Sequence, residues 1–167
     1  TNVVVNNVLF YNYEGGGDHA IYWNNDSKPI INNSTIVNYS GTIFNGGSSV
    51  NNVIITFNNC ILQGNSYEGP YEINYSIVSP TAVGETNINV DPFFVDPDNG
   101  DYHLQLNSPA IDAGHPDLDG DGITWETDTD DQDPDGSRMD MGYASTSCLV
   151  DQCGICDHDT SNDCVMD

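Results

Sequence analysis

Short apolar runs broken by asparagine dominate the first eighty residues. Four segments repeat one plan: VNNVLFYN (5–12), INNSTIVN (31–38), FNNCILQGN (57–65) and INYSIVSP (73–80). Each sets one or two Asn before a small residue, then continues as a β-branched or aliphatic run. Runs rich in Val, Ile, Thr, Tyr and Phe and bounded by Asn, Gly and Ser predict strands. Recurrence of one plan predicts a stacked array in which each unit buries its neighbour. Aligning Leu9, Ile36, Ile61 and Ile77 gives steps of 27, 25 and 16 residues. The first two steps suit one coil of a parallel β-solenoid, and the last requires a shortened turn. HAIYW (19–23) and GTIF (41–44) read as secondary strands between turn-rich NNDSKP and NGGSS. Helix-forming Glu, Lys, Arg and Ala are scarce, which argues against a helical bundle. An Asn at the same place in successive coils can take the left-handed conformation and stack its amide on the next Asn. Asn25, Asn32, Asn33, Asn38 and Asn74 also satisfy N-x-[ST]; a role in the turns between strands outweighs glycosylation.

An array of parallel strands has an open end that must be covered. Residues 88–113, INVDPFFVDPDNGDYHLQLNSPAIDA, have the features of such a cap. Asp-Pro pairs flank Phe93 and Phe94, DNG turns the chain, and YHLQL alternates as an edge strand does. The organisation expected is therefore coils over 1–87, a cap over 88–145 with an acidic insertion at 115–136, and a cysteine-rich linker over 146–167.

Charge sharpens this division. The 167 residues carry 26 acids against Lys28 and Arg138, a formal net charge of −24. Only Glu14, Asp18, Asp26, Glu68 and Glu72 fall before residue 81, whereas 17 acids fall after residue 100. So acidic a chain excludes nucleic acid as a partner and is repelled by anionic membranes. No apolar run reaches the roughly 20 residues of a membrane span. Thr1 opens the chain with neither an initiator Met nor a signal peptide, and DCVMD closes it, so a fragment of a longer chain is expected.

Inside the acidic part, residues 117–128 read DLDGDGITWETD. In a calcium loop, positions 1, 3 and 5 supply carboxylates, position 6 is Gly, position 7 gives a carbonyl and position 12 closes the shell. These are Asp117, Asp119, Asp121, Gly122, Ile123 and Asp128. Asp128 stands where Glu is preferred, and Pro116 and the acids after Thr127 leave no room for flanking helices. A free-standing Ca2+ loop is expected rather than an EF-hand pair. The plain alternative is a solvated acidic insertion, against which Trp125 inside the loop calls for burial. Asp130, Asp131, Asp133 and Asp135 offer a second set of carboxylates.

Arg138 reads either as a substrate clamp or, more in keeping with its setting, as a structural partner of Asp112 or Asp140. Cys60 occupies the small-residue place taken in neighbouring coils by Ser34 and Tyr75, as a buried thiol. Cys148, Cys153, Cys156 and Cys164 are spaced loosely for zinc and are read as disulfide candidates. His19, His103, His115 and His158 follow no metal or triad spacing.

The stretch NVDPFFVDPDNGDYHLQLNSPAIDAG together with DPDGSRMDMGYAS (133–145) resembles the C-terminal signature of bacterial secreted right-handed parallel β-helix proteins. Gly142-Tyr143 replaces the more usual Gly-Ala-Tyr. The likeness extends over about residues 1–145 and implies the pectate-lyase-like scaffold: an all-β right-handed parallel solenoid, extracellular, and connected with carbohydrate. Residues 148–164, CLVDQCGICDHDTSNDC, resemble the acidic cysteine-rich linkers of marine bacterial surface proteins.

Neither a lyase nor a hydrolase site is legible. A lyase needs a basic residue beside clustered acids, yet Lys28 falls in a turn. A hydrolase needs two facing carboxylates, and the acids before residue 81 fall mostly in turn-like stretches. The expected function is a non-catalytic, calcium-stabilised, monomeric module of the cell surface, structural or adhesive, contacting polysaccharide or surface glycan. The alternative is the C-terminal part of a polysaccharide lyase or glycoside hydrolase whose catalytic residues lie upstream.

Overall fold

A computed structural model describes residues 2–13, 19–22, 28–45, 54–80 and 84–143. Strands form over each of the four repeated segments, and nearly all of them pair in parallel. The chain is all-β in these residues, with two single-turn 3-10 helices at Pro97–Asn99 and Thr129–Asp131. No helix among them is long and apolar enough to cross a membrane.

One sheet stacks β1 (Asn2–Asn6), β4 (Lys28–Asn32), β6 (Ile55–Asn58) and β8 (Tyr71–Asn74). The other stacks β2 (Leu9–Tyr13), β5 (Thr35–Asn45), β7 (Ile61–Glu68) and β9 (Ile77–Ser79) in the same order. A short β3 (His19–Tyr22) pairs with the distal part of β5, which the GTIF segment belongs to. Partners in both sheets are offset by the same steps. Val5 pairs with Ile31, Ile31 with Phe57, and Phe57 with Ile73; Leu9 pairs with Thr35, Thr35 with Ile61, and Ile61 with Ile77. The steps are thus 26, 26 and 16 residues, not 27, 25 and 16.

That correction has a physical cause. A one-residue shift moves every side chain to the opposite face of a strand. The place of Leu9 in the next strand is held by Thr35, and Ile36 belongs with Phe10, Leu62 and Val78. Periodicity could not separate the two columns because the second sheet is covered on both faces, as parallel sheets usually are. Ile36, Leu62 and Val78 pack inward against Ile31, Phe57 and Ile73 of the first sheet. Ile61 and Ile77 face the other way, into a second cluster with Phe94, Tyr102, Leu104, Ala110 and Met141. Thr35 apart, both columns are apolar, and the pairing decides which is which.

The corner between the sheets is built from asparagine. Asn7, Asn33 and Asn59 adopt φ of 56°, 46° and 54°, and Tyr75 follows at 47°. Asparagine tolerates this left-handed region better than most residues, so a sharp corner costs it little. The residues just before them make the amide stack. Asn32 Nδ2 donates to Asn6 Oδ1 at 3.0 Å, Asn58 to Asn32 at 3.0 Å, and Asn74 to Asn58 at 3.1 Å. Turning and stacking, expected of one Asn, are divided between two. Of the amides that also satisfy N-x-[ST], those of Asn32 and Asn74 bond within this corner, and that of Asn33 donates to Asp140 O in the C-terminal segment.

One position further on come Val8, Ser34, Cys60 and Ser76. Ser34 Oγ donates to Asn32 O and accepts from Val8 N; Ser76 Oγ donates to Asn74 O and accepts from Cys60 N. The equivalent of Cys60 is therefore Ser76, and Tyr75 is the corner residue before it. Cys60 Sγ donates to Asn58 O at 3.2 Å, repeating the serine contact, and desolvation pushes its thiol up to about 12.

Residues 84–143 cover the end and one face of this stack. Asn87 follows the last rung, accepting from Ser76 N and donating to Ile73 O, and Ile88 adds a parallel bridge to Ile77. β10 (Phe94–Asp96) and β11 (Asp101–Leu104) form an antiparallel pair. Gly100 turns between them at φ 84°, and Tyr102 and Leu104 point into the core. The chain then returns along the asparagine corner. His115 N donates to Asn59 Oδ1, Gly142 N to Asn59 O at 2.7 Å, and Tyr143 N to Thr35 Oγ1 at 2.8 Å. Gly142, at φ 108°, sits where a Cβ would meet Ile61 Cδ1 at 2.7 Å, so glycine is required there.

Candidate metal centre

Local rules shape the 117–128 loop. Asp117 Oδ1 accepts from Gly120 N at 2.8 Å and its Oδ2 from Gly122 N at 3.1 Å. Asp119 accepts from Asp121 N, and Asp121 from Ile123 N, each two residues on. Such carboxylate-to-amide turns are what Asp does in place of regular structure. Gly120 and Gly122 take φ of 78° and 90°, and space is open around both, so it is backbone conformation that demands glycine. Trp125 is half-buried; its backbone N–H donates to Pro116 O and its carbonyl accepts from Gln132 Nε2. The loop is thereby a closed structure and not a trailing insertion.

Carboxylates of this segment converge in two overlapping groups. One oxygen each of Asp117, Asp119 and Asp131 lies within 4.8 Å of the others, and the same is true of Asp119, Asp121 and Asp128. Asp131 arrives through the Thr129–Asp131 turn, capped by Asp128, whose side chain accepts from Asp130 N. Asp131 is 0 % exposed; its Oδ1 accepts from Leu118 N at 2.6 Å, and its Oδ2 has no hydrogen-bond partner. Burial, and then the charges of Asp119, Asp128 and Asp117, push its carboxyl above the usual range. Ile123 is half exposed beside Asp121, and Asp130 is exposed.

A third group joins Asp112, Asp133 and Asp140 within 4.8 Å. Asp140 is buried and its Oδ1 accepts from Asp112 N at 2.9 Å. Ser137 Oγ donates to Asp112 Oδ1, and Ser137 N to Asp135 Oδ1. Desolvation, aided by Asp135 and Asp140, raises the Asp133 carboxyl to about 8. Thus the acids suggested as a second set divide: Asp131 joins the loop, Asp133 joins Asp112 and Asp140, and Asp135 braces the turn between Asp133 and Ser137.

Arg138 lies against Tyr75, its guanidinium carbon 5.5 Å from the ring centroid, with His115 edge-on to the same ring at 4.5 Å. Of the two acids expected beside it, Asp140 accepts from the backbone N–H of Asp112, and the Asp112 carboxylate accepts from Ser137 Oγ. His103 pairs with Asp101 at 2.6 Å on the surface. Cys148, Cys153, Cys156 and Cys164, along with His19's side chain and His158, lie outside what the structure describes.

The donor set suits a hard cation. Every side chain in the two converging groups is a carboxylate, the glycines permit tight turns, and a buried oxygen has no donor of its own, as a missing positive charge would leave it. The part played by Asp131 was not legible in the 12-residue spacing. Its only sequence signal was membership of an acidic run. Beside the loop lies a cleft of about 730 Å³ whose walls include Asn6, Asn32, His103, Asp119, Asp133 and Tyr143. Comparisons with family models, curated proteins and solved structures find no match to this chain.

Proposed function

We propose that the chain is a non-catalytic module of the cell surface, a right-handed parallel β-helix closed by its C-terminal segment and stabilised by calcium. The observation that carries this reading is the shared offset of the two ladders. Both sheets advance by 26, 26 and 16 residues through one asparagine corner, which is the behaviour of successive coils rather than of two independent sheets. Such coils gain stability from repetition, so they suit an extended display surface. Calcium in the 117–128 loop supplies the positive charge that the acidic segment lacks, and millimolar calcium outside the cell meets the demand of a loop closed by Asp rather than Glu. The resemblance of the cap sequence to secreted β-helix proteins supports placement outside the cell and contact with polysaccharide. The amide-lined corner and the cleft beside it offer hydrogen-bonding groups for such contact.

A retention assay tests this. The full chain is passed over insoluble acidic and neutral polysaccharides in calcium, and the eluate is assayed for new reducing ends and unsaturated sugars. Retention without product release is expected. Release of either product makes the chain part of a carbohydrate-active enzyme, and no retention on any matrix removes the polysaccharide contact.

A further inference from the structure

Two readings of the acidic loop differ in which carboxylate closes the ion's shell. The 12-residue spacing gives that place to Asp128. Asp128 caps the following turn through Asp130 N, and Asp119 and Asp121, the acids grouped with it, are exposed. Carboxylates that face water keep their hydration and need no counter-ion. Asp131 has no such recourse. It is wholly buried, it holds one oxygen with no donor, and it faces Asp117 and Asp119 across less than 4.8 Å. Lys28 and Arg138 are the only lysine or arginine in the chain, and Arg138 is stacked on Tyr75.

We propose that a calcium ion is centred on Asp117, Asp119 and Asp131, with the buried Asp131 as an anchoring ligand from beyond the 12-residue loop. The inference rests on the calcium reading above and changes what the ion does. An ion closed by Asp128 would order only the loop. An ion held by Asp131 ties residues 117–119 to the Thr129–Asp131 turn. The Asp131 carbonyl in turn accepts from Met139 N at 3.4 Å, and Met139 Sδ lies 3.6 Å from Asn33 Nδ2 at the corner. Calcium then becomes a clasp between the insertion and the strand-end that docks on the coils. Calcium is favoured over magnesium, which dehydrates reluctantly and is seldom held by several protein carboxylates.

The test compares Asp131→Asn with Asp128→Asn in the full chain, by calorimetric Ca2+ titration and by Tb3+ luminescence sensitised through Trp125. The introduced amide keeps an oxygen for Leu118 N and removes a buried charge, so Asp131→Asn is expected to melt no lower than wild type in EDTA. A direct ligand is worth at least what an outer-shell partner is, so Asp131→Asn is expected to weaken Ca2+ binding by about tenfold or more. Asp128→Asn, whose side chain can still cap the turn, is expected to bind close to wild type. Asp121→Asn is a second spared position that keeps the comparison decisive should Asp131→Asn fold poorly, and exposed Asp119→Asn should then show the loss. Wild-type binding in Asp131→Asn, or loss confined to Asp128→Asn and Asp121→Asn, overturns the inference and leaves the calcium reading standing. No Ca2+ or Tb3+ binding by wild type removes both.

Discussion

Residues 2–79 and residues 84–143 must each satisfy backbone groups around apolar side chains, and they do so by different means. In the ladders the backbone bonds rung to rung, and identical places in successive strands carry the same job. Phe57 stacks between Ile31 and Ile73, and Asn58 between Asn32 and Asn74. In the C-terminal part few backbone groups find a strand partner. Aspartate side chains take amides two residues on, serines brace turns, and two bonds to Asn59 and one to Thr35 help hold the segment in place. Repetition makes the first region stable through shared apolar burial. The second depends on particular side chains and carries an excess of carboxylate over the single arginine, Arg138, within it. Ladder damage should therefore act through lost burial, and cap damage through lost docking or lost charge balance.

The largest effect should come from the ladder interior. Phe57 is fully buried and in contact with the Phe44 ring at 5.1 Å, so Phe57→Ala is expected to cost about 3–5 kcal/mol in denaturant unfolding. A loss confined to the C-terminal part would break the comparison. Gly142→Ala tests docking. Its Cβ would press on Ile61 and Thr35 at φ 108°, and a cost of about 1–3 kcal/mol is expected. Hydrogen exchange should show faster opening over residues 108–143 with the ladders still protected; uniform loss would make the two regions one cooperative unit. Asn58→Ala removes two links of the amide stack and should cost about 1–2 kcal/mol, with rung pairing retained.

Charge balance gives a smaller, pH-dependent effect. Asp131 and Asp133 hold their protons more tightly folded than unfolded, Asp133 up to about 8. A raised carboxyl favours the native state at low pH and loses that contribution as pH rises through the folded value. In EDTA the melting temperature should therefore climb as pH falls from about 8 towards about 5, by this linkage. Calcium in the loop should remove the share of that slope owed to Asp131, because metal binding expels its proton, and leave the share owed to Asp133. Scanning calorimetry at several pH values checks both signs. Cys60 should be the least responsive group of all. Its buried thiol, raised to about 12, is expected to resist alkylation at neutral pH until the ladders unfold, as peptide mapping by mass spectrometry would show.

Much of the architecture was legible because it is local and repeated. The Asn-Asn-small-aliphatic plan marked each rung, and Asp-Asn-Gly marked the turn between β10 and β11. The Asp-Gly spacing of the loop marked a candidate ion site for the same reason: its carboxylates serve amides two to five residues away. What stayed hidden depends on partners far along the chain. Register could not be read when both columns of the second sheet are apolar but for Thr35, and the C-terminal segment packed on Ile61 and Ile77 distinguishes them. The division of turning and stacking between adjacent asparagines depends on neighbouring rungs. The ring of Tyr75, which lies under Arg138, was not legible from the acids around it in sequence.

The sequence by itself therefore determined the strands, the corner residues and the acidic loop, since propensity, backbone conformation and short-range hydrogen bonds depend on near neighbours. Tertiary structure alone decided which face of the second sheet is covered, which carboxylate is buried and which residues the C-terminal segment rests upon. Those outcomes follow from excluded water, and exclusion is a property of the packed chain, not of any stretch within it.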